Sequence, residues 1–257
     1  MPAGPTGSPH RVRALAGLSP VLCSRSLAMT KAAEKIIVAL DVPTETRALD
    51  LVRQLRQEIS FFKVGLQLYN GEGPEIVRAI RATGAKILLD LKLHDIPNTV
   101  AKAVESAADL GVQMLTIHLS GGSEMIRAAM AARKDHMSIL GVTVLTSADQ
   151  ATLGEIGISE RINEQVLRLT RLGVTSGIDG VVASPREIKM LRAEFGDNIK
   201  IVAPGIRPAW SQVGDQKRFT TPQQAIEAGA DYLVIGRPIS LHPNPCEAVK
   251  LILSELP

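Results

Sequence analysis

Eight short apolar runs, each followed by an amphipathic stretch, limit what this chain can fold into more than any other feature. The runs are 35–40, 61–66, 86–91, 112–119, 137–145, 180–183, 199–203 and 232–235. Between and after them, apolar residues recur at helical spacing over 44–59, 74–83, 98–110, 123–133, 160–172, 185–195, 222–229 and 244–254. Strands without polar alternation are buried on both faces, which is the condition of a parallel sheet covered by helices. Eight such units in about 220 residues suit a single-domain α/β fold, the (β/α)8 or TIM barrel. A doubly wound open sheet is the alternative. The turn after the first run, Asp41-Val42-Pro43, lacks the glycine fingerprint of a dinucleotide-binding version of that fold.

Residues 1–33 read differently from the rest. They are rich in Pro, Gly, Ser and Ala and carry Arg11, Arg13, Arg25 and Lys31 with no acid. We expect a flexible N-terminal extension over 1–33 and the barrel over 34–257. A transit-type segment, or a true start at Met29, fits the same composition. Gly17 and Pro20 interrupt the apolar stretch Ala14 to Cys23, which argues against a secretory signal. The net charge of +3 comes from this tail, leaving 25 bases against 26 acids in the remaining 224 residues. A nucleic-acid partner is not expected from that balance, nor from an aromatic content of 3%. No apolar run approaches the roughly 18 residues of a membrane span. Two cysteines, Cys23 and Cys246, make no disulfide framework and suit a reducing, cytoplasmic setting.

The segment Leu89-Asp90-Leu91-Lys92-Leu93-His94-Asp95-Ile96-Pro97-Asn98-Thr99 carries the densest chemistry. It ends an apolar strand in opposite charges, and side chains two apart on a strand share a face. Pro97 then ends the extended run and can open a helix. In a barrel, Asp41, Lys63, Asp90 and Lys92 would come from strands one to three and converge on the C-terminal mouth, where active sites of this fold lie. Each has an ordinary alternative: Asp41 could cap the next helix and Lys63 could snorkel outward.

A second constellation lies after strands seven and eight: Pro204-Gly205-Ile206-Arg207, Gly214-Asp215-Gln216 and Val234-Ile235-Gly236-Arg237-Pro238. Glycines let backbone N–H groups approach an anion, and arginine grips phosphate with two bonds. The connection 205–221 is long enough to expect a functional loop, one that closes over the phosphate. Thr146, after strand five, could offer hydrogen bonds to a substrate. The histidines show no metal-ligand spacing, so no metal site is expected.

Taken in order, these segments, with Ala39-Leu40-Asp41-Val42-Pro43, Phe62-Lys63-Val64-Gly65 and Val142-Thr143-Val144-Leu145-Thr146-Ser147, resemble the orotidine 5′-phosphate decarboxylase family from about residue 35 onward. The resemblance implies conversion of orotidine 5′-monophosphate to UMP and CO₂ without cofactor or metal, the last step of de novo pyrimidine nucleotide synthesis. It implies a catalytic array of Lys63, Asp90, Lys92 and Asp95 in a homodimer, with Asp95 and Thr99 reaching into the partner's site. It also implies that Asp41 and Lys63 hold the ribose, with Asp90 lining the substrate site. Thr146 would hold the pyrimidine, and Arg207, Gln216, Gly236 and Arg237 the phosphate.

Other activities stay open at this stage. A Schiff-base aldolase needs a neutral amine, which flanking carboxylates disfavour. A metal-dependent sugar-phosphate enzyme could share the Asp-x-Lys-x-x-Asp segment. A barrel without turnover could serve as a nucleotide sensor.

Overall fold

A computed structural model describes residues 31–211 and 220–256. Eight parallel strands close on themselves in sequence order: β1 Ile36–Ala39, β2 Phe61–Gly65, β3 Lys86–Leu93, β4 Met114–His118, β5 Ser138–Val142, β6 Gly180–Val182, β7 Lys200–Pro204 and β8 Tyr232–Ile235. β8 pairs back onto β1 through Ile37 and Val234, so the sheet has no free edge and the open-sheet alternative is excluded. The helices are α1 Glu45–Leu55, α2 Leu66–Glu72, α3 Glu75–Arg81, α4 Pro97–Asp109, α5 Gly122–Ala132, α6 Gln150–Glu155, α7 Ile162–Thr175, α8 Ile188–Phe195, α9 Pro222–Glu227, α10 Arg237–Ser240 and α11 Pro245–Ser254.

Three helices exceed the expected pattern, and each has a local cause. Leu66 begins α2 instead of ending β2, because the strand stops at Gly65. Asp149 opens α6 by accepting a hydrogen bond from the Thr152 N–H. Arg237-Pro238 opens α10, where proline is tolerated because a first-turn N–H needs no helical partner. Asp41 does not cap α1; Thr44 does, accepting from the Arg47 N–H.

Two cores follow from the strand alternation. Outward residues such as Val38, Phe62, Leu89, Ile117 and Val181 pack beneath the helices. Inward residues Ile37, Phe61, Leu88, Met114, Leu140 and Val202 fill the barrel itself. The filled layer is a floor, and the next inward positions toward the strand C-termini include Lys63, two after Phe61, and Asp90, two after Leu88.

The opposite, N-terminal end is closed by a repeated device. The first residues of a strand carry N–H groups that a loop must satisfy. The Gln113 side chain accepts from the Ile87 N–H of β3 at 2.7 Å, Asp179 from Ile139 of β5 at 2.8 Å, and Asp231 from Ile201 of β7 at 2.7 Å. In each case the acceptor immediately precedes or enters the next strand, so one side chain locks two strands in register. Arg192 clamps Asp231 and also donates to the carbonyls of Gly229, Gly196 and Ile199.

We therefore expect Asp231→Ala to lower unfolding free energy by about 1–3 kcal/mol, since a strand N–H loses its acceptor and the mostly buried Arg192 guanidinium loses its nearest carboxylate. Glu194→Ala, which breaks only an exposed pair with Arg171, should stay within about 0.5 kcal/mol. Urea unfolding of both variants measures the contrast.

Candidate active site at the C-terminal mouth

The residues named from strands one to three form one continuous chain of charges. Lys63 Nζ lies 3.1 Å from an Asp41 carboxylate oxygen and 3.5 Å from Asp90 Oδ2, while Lys92 Nζ lies 2.8 Å from Asp90 Oδ1. Register explains the first contacts: Ala39 pairs with Lys63, and Gly65 with Asp90, which sets three consecutive strands at one height. Gly65 is small for a reason, since a Cβ there would sit 2.9 Å from the Lys63 ammonium. Gly236 likewise leaves room beside Asp41, whose Oδ2 would lie 3.3 Å from an added Cβ.

The Asp90–Lys92 contact forms by a different route from simple alternation. The β3–β4 pairing shifts between Leu89 and Leu93, the signature of a bulge. Lys92 occupies that bulge at φ 51°, the one non-glycine residue in the left-handed region among those described. Such a conformation costs free energy and persists only where neighbours enforce it. Thr116 is the neighbour. Its hydroxyl oxygen accepts from the Lys92 N–H at 2.9 Å and its O–H donates to Asp90 Oδ1 at 2.9 Å. Sequence reasoning missed Thr116. The available signal was a hydroxyl inside the apolar strand Met114-Leu115-Thr116-Ile117, where a fully buried polar group needs a partner.

Electrostatics of this cluster favour charge. Burial works to raise the Asp90 carboxyl, but the Lys63 and Lys92 ammonium groups and the hydrogen bonds from Lys92 and Thr116 outweigh it, holding the group below its ordinary 3.8. Burial also lowers His118, at the end of β4, with His94 and Lys92 adding to the effect and Asp90 opposing it.

The cavity above the floor has two parts. An inner chamber of about 150 Å³ is lined by Lys63, Asp90, Lys92, Thr116 and Thr146 over apolar walls from β5 to β8. It opens into a mouth of about 1390 Å³ bordered by Asp41, Thr146, Arg207, Gly236 and Arg237. The two constellations read from the sequence thus share one cavity. Glu187 also lines the mouth and was not anticipated; burial pushes its carboxyl up to about 7, against the pull of the Ser184 N–H.

Asp95 and Thr99 are not brought to this cavity. Both are exposed, and Asp95 accepts from the Ile96 N–H beside it at 2.6 Å without joining the charge chain among the described residues. Gln216, with the rest of 212–219 and so the middle of the expected closing loop 205–221, lies outside the described residues. Among the described residues, no three His, Cys, Asp or Glu side chains are grouped to hold a metal ion, and no helix is long and apolar enough to cross a membrane.

A closed (β/α)8 barrel carries an alternating charge array at the C-terminal ends of its first three strands, mostly buried at Lys63 and Asp90 and open to the mouth at Asp41, and this is the layout of a barrel enzyme. Comparison with known proteins gives the class a family. The model of the orotidine 5′-phosphate decarboxylase / HUMPS family matches residues 34–252, and the chain belongs to that family. It is 44% identical over 236 residues to the orotidine 5′-phosphate decarboxylase of Syntrophotalea carbinolica, covering 89% of this chain and 97% of that protein. To the protein of that name from Actinobacillus succinogenes it is 48% identical over 226 residues, covering 86% and 97%. The crystal structure of orotidine 5′-phosphate decarboxylase from Lactobacillus acidophilus superposes with a TM-score of 0.76 at 37% identity, covering 86% of this chain and 98% of that one.

The depressed Asp90 pKa has a stability consequence. Its folded value lies below the unfolded one, so its contribution is complete above the ordinary 3.8 and is lost as pH falls through the folded value. Asp90→Asn should be less stable than the parent at neutral pH. The gap should narrow when urea unfolding is repeated at pH values below 3.8.

Proposed function

We propose that this chain decarboxylates orotidine 5′-monophosphate to UMP and CO₂, the last step of de novo pyrimidine nucleotide synthesis, with no cofactor. The observation that carries the reading is the Asp41–Lys63–Asp90–Lys92 chain at the base of the cavity. The reaction leaves an electron pair in the plane of the pyrimidine ring at C6, where the π system cannot delocalise it. Stabilisation must then be electrostatic and held in place beforehand. The Lys92 ammonium supplies a fixed positive charge at C6 and then the proton that quenches the carbanion.

Asp90 stands where the departing carboxylate is placed, and its ionised state makes that placement costly. Two like charges about 4 Å apart repel by roughly 4 kcal/mol at an effective dielectric near 20. The repulsion vanishes as CO₂ leaves, but it falls short of the roughly 8–23 kcal/mol by which enzymes commonly lower barriers. Lys92 therefore carries the larger share. Asp41 and Lys63 hold the ribose hydroxyls, and Thr146 holds the base. Arg207 and Arg237, with the backbone of Gly236, grip the phosphate at the far side of the mouth. Binding energy gained there is spent on positioning the ring.

Asp95 completes the array from a second copy of the chain. Its exposure at the head of α4, beside Ile96 at 66% exposure, suits a symmetric homodimer in which Asp95 and Thr99 enter the partner's cavity.

Following the absorbance of orotidine 5′-monophosphate tests the reading. The parent chain should turn it over with a chelator present, which separates it from a magnesium-dependent sugar-phosphate enzyme. Lys92→Ala should fold and lose at least about a thousand-fold in kcat. Full parent activity in that variant would remove Lys92 from the chemistry. A mixing experiment tests the shared site: co-refolding inactive Lys92→Ala with inactive Asp95→Ala should restore about a quarter of parent activity, because half the dimers then hold one intact site of two. No recovery would mean that Asp95 serves its own chain.

A further inference from the structure

We infer that His94 and His118 form a positioning pair, whose ring contact fixes the backbone that presents Lys92 and Asp95; the inference rests on the functional reading above. The argument starts from the bulge. After the break at Leu89, β3 regains β4 where Leu93 pairs with Ile117, one residue beyond the Lys92–Thr116 hydrogen bond. The next step along both chains sets His94 against His118. Their ring centroids lie 5.7 Å apart with planes at 45°.

These three contacts act in series. The Thr116 bond holds the Lys92 amide, the Leu93–Ile117 pairing closes the bulge, and the two rings hold the chain where it leaves the sheet. Asp95 follows directly and turns onto the Ile96 N–H at the head of α4. Without the ring contact, the last pairing would be free to fray, and the left-handed Lys92 would lose one of the neighbours that enforce it. The turn after β4 borders the His94 ring, which is otherwise exposed, through Gly121. A Cβ on Gly121 would lie 3.1 Å from His94 Cδ2 and would first meet the Met125 side chain, so a larger residue there would press on both.

Charge is consistent with a packing role. The groups acting on His118 are His94, Lys92 and Asp90; burial, with His94 and Lys92 adding to it and Asp90 opposing, shifts its imidazole toward the neutral form beside the Lys92 ammonium. A second cation at that place would compete with Lys92 for Asp90.

The test compares kcat and KM for orotidine 5′-monophosphate in the parent, His94→Ala, His118→Ala, the double variant and His94→Phe. Each alanine variant should lose about 10–100-fold in kcat, the scale of a small misplacement of a reacting group. KM should change by less than about two-fold, because the phosphate and ribose contacts lie elsewhere. The double variant should lose no more than the worse single one, since one contact is removed in all three. His94→Phe keeps a ring against His118 and should recover most of the loss. Amide hydrogen exchange gives a readout independent of turnover: the Lys92 N–H should lose protection in His94→Ala while core strands keep theirs. Unchanged kcat in both single variants, losses that multiply in the double, or a retained Lys92 amide would overturn the pair. Absence of turnover in the parent would instead overturn the functional reading, and the amide measurement would still decide the pair.

Discussion

Asp90 is a carboxylate placed near the floor of an apolar barrel, and the rest of the site exists around that fact. A buried charge of this kind is tolerated only when paired and hydrogen-bonded. Asp90 meets the condition with Lys92 at 2.8 Å, Thr116 at 2.9 Å and Lys63 at 3.5 Å, from three strands. The same contacts that keep it ionised also immobilise two ammonium groups over an inner chamber of about 150 Å³. A site built this way pays for orientation of its charges during folding, so little reorganisation is left for the reaction.

The barrel supplies what the cluster needs from both ends. Below it, the layer of Ile37, Phe61, Leu88, Met114 and Leu140 excludes water and keeps the surroundings of low polarity. Further down, Gln113, Asp179 and Asp231 each tie a strand start to the loop before its neighbour. Strand registers fixed at the N-terminal end carry through to the C-terminal end, where a shift of one residue would turn Lys63 or Asp90 out of the barrel. Stability and chemistry are thus separated along one axis, which is how this fold holds a costly site without losing its core.

The sequence made the barrel and most of the cavity legible because both depend on pattern. Continuous apolar strands declare burial on two faces, and Lys63 and Asp90 stand out because charge interrupts those runs near their ends. Arg207 and Arg237 were legible as glycine-flanked arginines after strands seven and eight. Thr116 was not, because a hydroxyl in an apolar strand is also common as a self-contained core residue. The route by which Lys92 meets Asp90 was hidden as well. Alternation alone places the two on one face, whereas the contact is made through a bulge that depends on β4. Short helices such as α2 and α6 escaped because six or seven residues hold too few turns for periodicity to emerge.

The bulge also explains why lysine sits in a backbone conformation that lysine disfavours. A regular β3 would keep its ladder with β4 intact and would carry Lys92 at the height set by the pleat. Yielding one step of pairing frees the Lys92 N–H for Thr116 and brings its ammonium back over Asp90 Oδ1. It also lets the chain rejoin the sheet at Leu93 before leaving for α4. The strained residue and the buried carboxylate are therefore coupled through one hydroxyl. Removing Thr116 would strand an N–H, weaken the hold on Asp90 and release the strain together, so the three groups behave as one unit whose single-site effects cannot be summed.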